Sequence, residues 1–409
     1  MSQDKEIFRE LAKEYAEFAL SEHCLGMPER YRKLNSLEIV RPPVLVFEVP
    51  WTELFFYEEL GLRCEDAQYR SLEWDMRSAL FQKKYFLGDY AVHPYFRVPI
   101  FLEQSGFGLT MQEETRPSGA IQSHAYMDVL PDEESLEQIC LPEIDFDPED
   151  AREDLEFCAE AFAGILPAKK AGASTYFPMW DYIPRFHGVE NSLIDLYDRP
   201  EFMHKMIDKF TRIFEHTLDR YEALNVLDTD PYYLHCTPAC TYELPMKDMD
   251  TENITTKNVW CRSMAQLLGA VSPEMLDEFD LQYVQRLFDR CGLSYYGCCE
   301  PLDNKIEKLR RFQNLRRVSI TTWANVDNAA EQIQGDYVLS YKSNPAFVAS
   351  GKLDTASVEA ETRRVLEACR RSGTPCEFVL KDISTVHNNA AVLTQWCDTV
   401  NRVIDEYFM

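Results

Sequence analysis

The chain lacks the long hydrophobic runs that would place it in a membrane or send it out of the cell. No stretch approaches the roughly 18 consecutive apolar residues that a transmembrane helix needs. The first residues, Met-Ser-Gln-Asp-Lys-Glu-Ile-Phe, are polar and helical in pattern, so no secretory signal peptide is predicted. We therefore expect a cytoplasmic protein with no membrane partner.

Basic residues are also scarce relative to acidic ones. The 42 lysines and arginines stand against 69 aspartates and glutamates, which gives a formal net charge of −27. Nucleic acids and anionic membranes are bound through basic surfaces, so this balance argues against both as the main partner. It leaves open a basic protein or a cofactor-carrying protein.

Two further absences reduce the number of folds that fit the sequence. The sequence contains no glycine-rich phosphate loop of the G-x-G-x-x-G or G-K-[ST] type. It also has no low-complexity linker and no evident repeat of 20 to about 50 residues. The 409 residues, 45% of them hydrophobic, are enough for one large domain or two ordinary ones.

Cysteine, in contrast, is plentiful. Thirteen cysteines without a secretion signal indicate a reducing compartment and free thiols. Free thiols suit soft-metal or cobalt chemistry, and on that basis we expect a role in anaerobic metabolism.

Apolar strand-like runs alternate with helix-like segments along most of the chain. Such β-then-α alternation with short connections requires parallel strands and right-handed crossovers. About eight strand candidates are recognised, and they begin near 41, 95, 165, 258, 293, 317, 336 and 376. With no nucleotide loop in the chain, the pattern predicts an α/β fold of the (β/α)8 TIM-barrel type over residues 41–409. Residues 1–40 are predicted to form an N-terminal helical extension, and residues 104–147 an irregular excursion.

The most informative segment is Leu293-Ser-Tyr-Tyr-Gly-Cys-Cys-Glu-Pro-Leu302. It reads as an aromatic strand that ends at Gly297 and is followed at once by a helix-like segment. The connection between this strand and the next helix therefore contains two thiols and a carboxylate, those of Cys298, Cys299 and Glu300. In α/β proteins, ligands bind at the edge of the sheet where such connections lie. Adjacent cysteines do not bridge easily, so a disulfide is the weaker interpretation; packing of one thiol in the core is the plainer alternative.

Other polar residues fall at or near the ends of predicted strands. They are Glu48, His235, Cys236, Cys240, Cys261, Arg262, Trp323, Asn325, Lys342, Asn344, Lys381 and Asp382, with His387 in a following loop. Cysteine, histidine and carboxylate side chains are the ligands that Zn²⁺ takes, although the spacing is not that of a zinc finger. The alternatives remain open: Cys236, Cys240 and Cys261 as packing residues, His235 and Lys342 as residues that bond nearby backbone, and Lys381–Asp382 as a buried ion pair.

At these residues the chain resembles the uroporphyrinogen decarboxylase superfamily. The resemblance covers roughly residues 41–405 and is carried by the order and spacing of several segments: Phe186–Glu190, Leu196–His204, Leu268–Phe279, Gly297–Glu300 and Ser343–Phe347. It implies a (β/α)8 barrel with the site at the carboxyl ends of the strands, in agreement with the alternation. It also implies a homodimer.

The superfamily contains two functional branches. True decarboxylases carry an arginine-rich N-terminal signature that binds substrate carboxylates, whereas this chain has Val46-Phe-Glu-Val-Pro-Trp51 there. The cobamide-dependent methyltransferases use zinc and a corrinoid protein, and the resemblance to this branch is the closer one. Their usual zinc ligands are an H-x-C pair and a late cysteine; here the first position falls on Gly297–Cys299 without a histidine and the second on Leu380–Ser384 without a cysteine.

We therefore expect a methyltransferase that moves a methyl group between a small organic methyl donor and a corrinoid protein, with zinc activation. The predicted metal ligands are His235, Cys261, Cys298 and Cys299, and the predicted catalytic residues are Glu48, Glu300, Lys342 and Asp382. The alternatives are a decarboxylase like those of the superfamily and a non-catalytic barrel that binds a tetrapyrrole or a metal.

Overall fold

The structure, a computed structural model, describes residues 3–118 and 121–408. Its helices are α1 Gln3–Ala19, α2 Glu22–Asn35, α3 Trp51–Leu54, α4 Ala67–Tyr85, α5 Glu133–Leu136, α6 Pro148–Ala161, α7 Met179–His187, α8 Val189–Asp198, α9 Pro200–Ala223, α10 Pro273–Leu276, α11 Gln282–Phe288, α12 Ile306–Leu309, α13 Val326–Ile333, α14 Thr355–Ser372 and α15 Ala391–Phe408. Its strands are β1 Val44–Val46, β2 Phe96–Val98, β3 Glu103–Gln104, β4 Glu113–Ser118, β5 Ile121–Tyr126, β6 Ile144–Asp145, β7 Ala168–Lys170, β8 Thr175–Phe177, β9 Tyr233–Leu234, β10 Thr237–Pro238, β11 Trp260–Ser263, β12 Leu293–Tyr296, β13 Leu315–Thr321, β14 Val338–Ser343 and β15 Cys376–Leu380.

Seven parallel strands form the central sheet, in the order β1-β15-β14-β13-β12-β11-β8. The first strand of the chain pairs with the last, and the others follow in chain order, as strands do around a barrel. The two end strands, β1 and β8, are not paired to each other in the described part of the chain. The prediction of an α/β fold with parallel, barrel-type strand order is confirmed, with this one seam in the ring.

Local sequence explains why the late βα units form cleanly. Strands β14 and β15 are buried along their whole length, as their β-branched and aromatic residues favour. Two helices of this half begin at side-chain caps: Asn325 caps α13, which follows β13, and Asp354 caps α14, which follows β14, and each cap accepts from backbone N–H of the first turn. Gly373, with φ of 67°, ends α14 in the left-handed conformation.

Inside the ring of strands lies a buried ion pair. Arg317 on β13 places Nη2 at 2.5 Å from Oε2 of Glu377 on β15, and both side chains are fully buried. These two atoms are at ion-pair distance but are not aligned for a hydrogen bond. Glu377 accepts hydrogen bonds from Thr237 and Ser340 through its other oxygen, and Arg317 donates to Asn35 Oδ1 over 2.6 Å. The polar network ties three strands, β13, β14 and β15, to the β9–β10 hairpin and to α2.

The first half of the barrel differs from the predicted pattern. The predicted strand near 165–170 forms β7 but pairs with β2 in a separate two-stranded sheet, whereas β8, which the pattern did not indicate, belongs to the central sheet. A three-residue strand such as β8 is too short for its alternation to stand out. The 104–147 excursion is not wholly irregular, because it carries the antiparallel hairpin β4–β5.

The N-terminal helices pack on the barrel instead of standing apart from it. Phe8 on α1 is fully buried, with its ring 4.9 Å from that of Phe162 and 5.3 Å from that of Tyr69. Arg9 donates to the backbone oxygens of Ala161 and Ala163 at the end of α6. The extension thus completes a second hydrophobic cluster beside the main core.

A search of the helices in both described ranges finds none that is long and apolar enough to cross a lipid bilayer.

Candidate active site

Four segments bring polar side chains to one edge of the central sheet. Glu48 follows β1, Cys298 follows β12, and Lys381 follows β15, while His235 lies in the turn between β9 and β10. Since parallel strands end at the same edge, these residues meet at the carboxyl ends of the strands, the position predicted from the sequence. Glu48, His235 and Asp382 all have positive φ, of 49°, 60° and 54°, so each side chain leaves a sharp backbone turn.

Five of these side chains form a closed ring of hydrogen bonds, which we call the thiol ring: Glu48, His235, Cys298, Cys299 and Asp382. His235 Nε2 lies 2.8 Å from Glu48 Oε1 and also bonds the Cys298 thiol. The two sulfur atoms are 3.6 Å apart, and Cys299 Sγ donates to Asp382 Oδ2 over 2.7 Å. A hydrogen bond between Asp382 and Glu48 closes the ring.

The ammonium group of Lys381 lies in the middle of the thiol ring. Its Nζ is 3.0 Å from Cys298 Sγ, 3.6 Å from Cys299 Sγ, 3.2 Å from Glu48 Oε2 and 2.9 Å from Asp382 Oδ2. Its side chain is only 2% exposed. A buried ammonium is stable only among opposite charges and acceptors, and this one has both on several sides.

Interactions within the thiol ring shift the pKa values of the two cysteines in opposite directions. The hydrogen bond from Cys299 is the largest cause that lowers the pKa of Cys298 to about 3, and His235 and Lys381 add to it against the opposing effect of burial. The same hydrogen bond, with burial, raises the pKa of Cys299. Cys298 is therefore the thiolate of the pair, and Cys299 is the thiol that keeps its proton.

The pKa values of the other three ring members, His235, Glu48 and Asp382, are shifted as well. Burial lowers the pKa of His235, but hydrogen bonds to Cys298 and Glu48 outweigh it and raise the pKa overall. Burial raises the pKa of Glu48, and hydrogen bonds from His235 and Asp382 outweigh it, so the net pKa is lowered. Burial and the hydrogen bond with Glu48 raise the pKa of Asp382. The site thus holds an ammonium, a thiolate and the Glu48 carboxylate, next to a histidine and an aspartate whose pKa values are both raised.

Glu300 stabilises the turn that follows β12 and is not a member of the thiol ring. Its buried carboxylate accepts hydrogen bonds from the backbone N–H of Cys298, over 2.9 Å, and of Ala265, over 3.0 Å. Burial raises its pKa. Gly297 precedes the thiols with φ of 97°, and a Cβ there would lie 2.6 Å from Leu302 Cδ1. Glu300 and Gly297 are positioning residues that fix where the two thiols point.

Two other predicted site residues lie outside the thiol ring. Lys342 is buried on β14, where Nζ donates to Ser340 Oγ over 2.6 Å and lies 5.6 Å from the ring centroid of Tyr295. Cys261 is fully buried in the main core, with Sγ 3.7 Å from the backbone oxygen of Leu293 and a hydrogen bond to Cys291. The structure places Cys261 among packing residues, since it faces away from the other predicted ligands.

The arrangement does not fit a zinc ion. Two thiols, an imidazole and two carboxylates are zinc-type donors, but the Lys381 ammonium already occupies the point on which they converge. In keeping with this, the described ranges 3–118 and 121–408 contain no group of three or more His, Cys, Asp or Glu side chains arranged to hold a metal ion. Zinc would require Lys381 to leave its place.

Sequence reasoning recognised Lys381 only as one half of an ion pair with Asp382, and that pair does form. Its central position depends on where β15 ends relative to β1 and β12, which no local pattern reveals. A lysine directly after an apolar strand was the signal that pointed to it.

A cavity of about 250 Å³ opens beside the thiol ring, in the region of the seam. Its wall includes Tyr176 on β8, His235, and Arg262 on β11. Arg262 was recognised among the polar residues at predicted strand ends but was not assigned as a ligand or a catalytic residue, and Tyr176 was not recognised. The cavity offers room for a small molecule within reach of His235.

This chain matches no family model, and no curated protein matches it significantly. Among solved structures, it is similar to a methyltransferase from Methanosarcina mazei, with 11% identity over 91% of this chain and 98% of that one and a TM-score of 0.49. It is also similar to a B12-independent methionine synthase from Shewanella sp. W3-18-1 in complex with selenomethionine, with 10% identity over 90% and 98% of the two chains and a TM-score of 0.41. With TM-scores below 0.5, neither likeness indicates what this chain does.

Proposed function

We propose that this protein is a methyltransferase that takes a methyl group from a small organic donor and passes it to a corrinoid protein, with Cys298 as the group that carries the methyl between them. The observation on which the proposal depends is the Cys298 thiolate, held by Cys299, His235 and Lys381 at the carboxyl edge of the strands. A thiolate is a soft nucleophile suited to attack on a methyl carbon.

The chemistry balances with groups of this chain. In the first half-reaction the Cys298 sulfur forms a bond to the methyl carbon while the bond from that carbon to the donor heteroatom breaks. The electron pair stays on the heteroatom, and His235, whose pKa is raised by its hydrogen bonds to Cys298 and Glu48, supplies the proton that neutralises it. In the second half the methyl carbon forms a bond to the reduced, nucleophilic cobalt of the corrinoid protein while the sulfur–methyl bond breaks, and the electron pair of the broken bond restores the thiolate.

The low pKa of Cys298 suits it to a carrier role. A thiolate of low pKa is a weaker nucleophile but a better leaving group, because nucleophilicity rises only partly with basicity. Lys381 and His235, which stabilise the thiolate, stabilise the departing sulfur of the second half-reaction in the same way. The site is thus adapted to release the methyl group as well as to receive it.

The corrinoid protein enters this proposal from the resemblance to cobamide-dependent methyltransferases. Zinc is the other expectation from that resemblance, and no step above uses it, since Lys381 lies where the metal would be bound. In this site Lys381 and His235 provide the positive charge next to the reacting sulfur.

The test uses protein purified without oxygen and a panel of methyl ethers and methylated amines. Each donor is supplied with a deuterated methyl group, and the peptide that contains Cys298 is analysed by mass spectrometry for the labelled methyl. Free cob(I)alamin is then added as a surrogate acceptor, and methylcobalamin formation is followed by absorbance. We expect label on Cys298 and transfer to cobalt with at least one donor.

Cys298→Ser should lower transfer at least about 100-fold, because a hydroxyl is neither ionised nor a good leaving group here. Cys140→Ser, which changes an exposed thiol outside the thiol ring, is the matched control and should retain the wild-type rate. Transfer that survives Cys298→Ser, or a full panel without reaction, would contradict the proposal. Release of carbon dioxide from an acid would favour the decarboxylase alternative, and tight tetrapyrrole binding without turnover the non-catalytic one.

A further inference from the structure

Arg262 presents a positive charge to the cavity beside the thiol ring. It lies near the end of β11, two residues after Trp260 and on the same side of the strand, and it is half-buried. Its guanidinium carbon is 3.6 Å from the ring centroid of Tyr176, the contact distance of a cation–π stack. The stack holds the planar guanidinium in a fixed orientation at the cavity wall.

This charge lacks the carboxylate partner that most arginines of the chain have. Across the described residues, no carboxylate oxygen lies within 4.0 Å of Arg262. Asp181, which interacts with it electrostatically, is bonded instead to the Tyr176 hydroxyl over 3.2 Å. In a chain with 69 acidic residues, an arginine left without one at a cavity wall calls for a ligand that supplies the negative charge.

The other acidic group of the cavity is already neutralised. Asp228 also lines it, but Arg97 Nη2 lies 2.7 Å from Asp228 Oδ2. His235 also lies on the wall, and its hydrogen bonds to Cys298 and Glu48 outweigh burial and raise its pKa, which favours the cationic form. An anion that enters the cavity therefore meets Arg262 and His235 before it meets an unpaired carboxylate.

We infer that Arg262 binds a carboxylate of the methyl donor, so that the substrate class is a small methylated carboxylic acid. This inference rests on the proposed function for the fate of the methyl group, but the binding step stands on the cavity alone. A guanidinium pairs with a carboxylate through two parallel hydrogen bonds, a geometry for which the stacked Arg262 is already oriented. A single arginine matches one monovalent carboxylate, and the 250 Å³ cavity limits the acid to a small one.

The test compares acids with their neutral amides. The probes are methoxyacetate, 3-methoxypropanoate and 4-methoxybenzoate, each paired with the corresponding amide, and binding to the full-length protein is measured by ligand-observed NMR titration without any corrinoid. For at least one pair we expect the acid to bind at least about tenfold more tightly than the amide, the value of one good charge-assisted contact.

Arg262→Gln should abolish that preference and leave acid and amide with similar affinity. Arg262→Lys keeps the charge and the stem but not the paired hydrogen bonds, so it should retain the preference with weaker binding of the acid. Arg310→Gln is the matched control, because Arg310 also lies over a tyrosine ring, that of Tyr337, but in an ion pair on the helical layer. It should leave the preference unchanged.

Equal affinity of every acid and its amide for the wild-type protein overturns the inference, as does an acid preference that survives Arg262→Gln. The wild-type comparison decides this even where a variant does not fold, and Arg262→Lys gives a second, milder variant. Acid binding that depends on Arg262 in a protein that transfers no methyl group would leave this inference standing and remove the proposed function.

Discussion

At the scale of single residues, the thiol ring explains how an acidic protein keeps a thiolate beside two carboxylates. Lys381 is the centre of that arrangement, since it contacts both sulfurs and both carboxylates. Removing any one group would leave its neighbours with an unpaired charge or an unsatisfied donor, which is costly in a half-buried site.

The low pKa of Cys298 predicts a flat pH profile for its alkylation. Because the thiolate is already formed, iodoacetamide should label Cys298 at a rate that changes less than about threefold between about pH 5 and pH 8, whereas a reference peptide thiol should accelerate several-hundred-fold. In His235→Ala, which removes one stabilising hydrogen bond, the profile should become steeper. Peptide mass spectrometry gives the rates, and a steep wild-type profile would contradict the assignment.

Lys381 predicts how the site responds to zinc. The wild-type protein should hold less than about 0.1 zinc per chain after purification without oxygen, because the ammonium occupies the place of the metal. Lys381→Met removes the charge and should raise zinc affinity at least about tenfold, since the zinc-type donors then face one another. Lys342→Met, a buried lysine outside the ring, is the matched control. One zinc per wild-type chain that Cys298→Ser removes would show instead that the resemblance, with its metal, describes the site.

At the scale of elements, the site depends on how each strand ends. Strand β12 ends at Tyr296, and the positive φ of Gly297 then turns the chain so that Cys298 and Cys299 join the thiol ring. Glu300 then fixes the turn through two backbone hydrogen bonds. The short stretch between a strand and its helix therefore carries the geometry of the thiols.

Gly297→Ala should disturb both stability and the thiolate. Its Cβ would lie 2.6 Å from Leu302 Cδ1 and 3.1 Å from Ser319 Cβ, in a backbone conformation that alanine rarely adopts. We expect a loss of about 1–3 kcal/mol in the free energy of unfolding and a steeper alkylation profile at Cys298. Gly335→Ala is the control, because its Cβ would meet nothing closer than 3.8 Å. Urea unfolding measures the difference, and equal stability of the two variants would contradict it.

The Arg317–Glu377 pair predicts a large effect from a small substitution. Glu377→Gln keeps the shape of the side chain but leaves the fully buried Arg317 charge without its counter-ion. We expect a loss of about 3–5 kcal/mol in the free energy of unfolding. Glu406→Gln, which breaks the surface pair with Arg363, should cost less than about 1 kcal/mol. Denaturant titration of both variants gives the comparison, and similar values would mean that the interior pair is not energetically special.

Much of this element-scale picture could be predicted from the sequence, and the reason for the rest is physical. Strand β15 matches its predicted bounds, and the β12 strand with its thiol turn was recognised, because long buried runs and strand-to-helix changes leave local patterns. Strand β8 was missed because three residues carry no periodicity. The grouping of Glu48, His235, Cys298, Cys299 and Asp382 at one edge follows from barrel order. The burial of Cys261 in the main core could not be predicted in this way, because the register of a short strand decides which of its side chains point inward.

At the scale of the whole molecule, the N-terminal helices belong to the folded unit. The 1–40 boundary predicted for the extension remains a prediction, but α1 lies against α4 and α6 with its aromatic residues buried. Residues from the start of the chain and from α6 therefore form one cluster over a sequence separation of about 150 residues, which joins the extension to the barrel energetically.

Phe8→Ala should show that coupling. The ring is fully buried between Phe162 and Tyr69, so its removal should lower the free energy of unfolding by about 3–5 kcal/mol while the transition stays single. Phe101→Ala, at a position 77% exposed, should change it by less than about 0.5 kcal/mol. Circular dichroism against denaturant measures both, and a separate early transition in Phe8→Ala would indicate an independent N-terminal unit.

The closed thiol ring also has a consequence for the order of events in the proposed cycle. Lys381 and His235 both use the sulfur of Cys298 as an acceptor, in addition to their contacts with carboxylates. A methylated sulfur is a weak acceptor and carries no charge, so methylation would take one acceptor away from each of these two groups and leave only the carboxylate contacts. In the proposed cycle, the site is therefore more stable with a free Cys298 thiolate than with a methylated Cys298. This difference in free energy favours transfer of the methyl group to the acceptor.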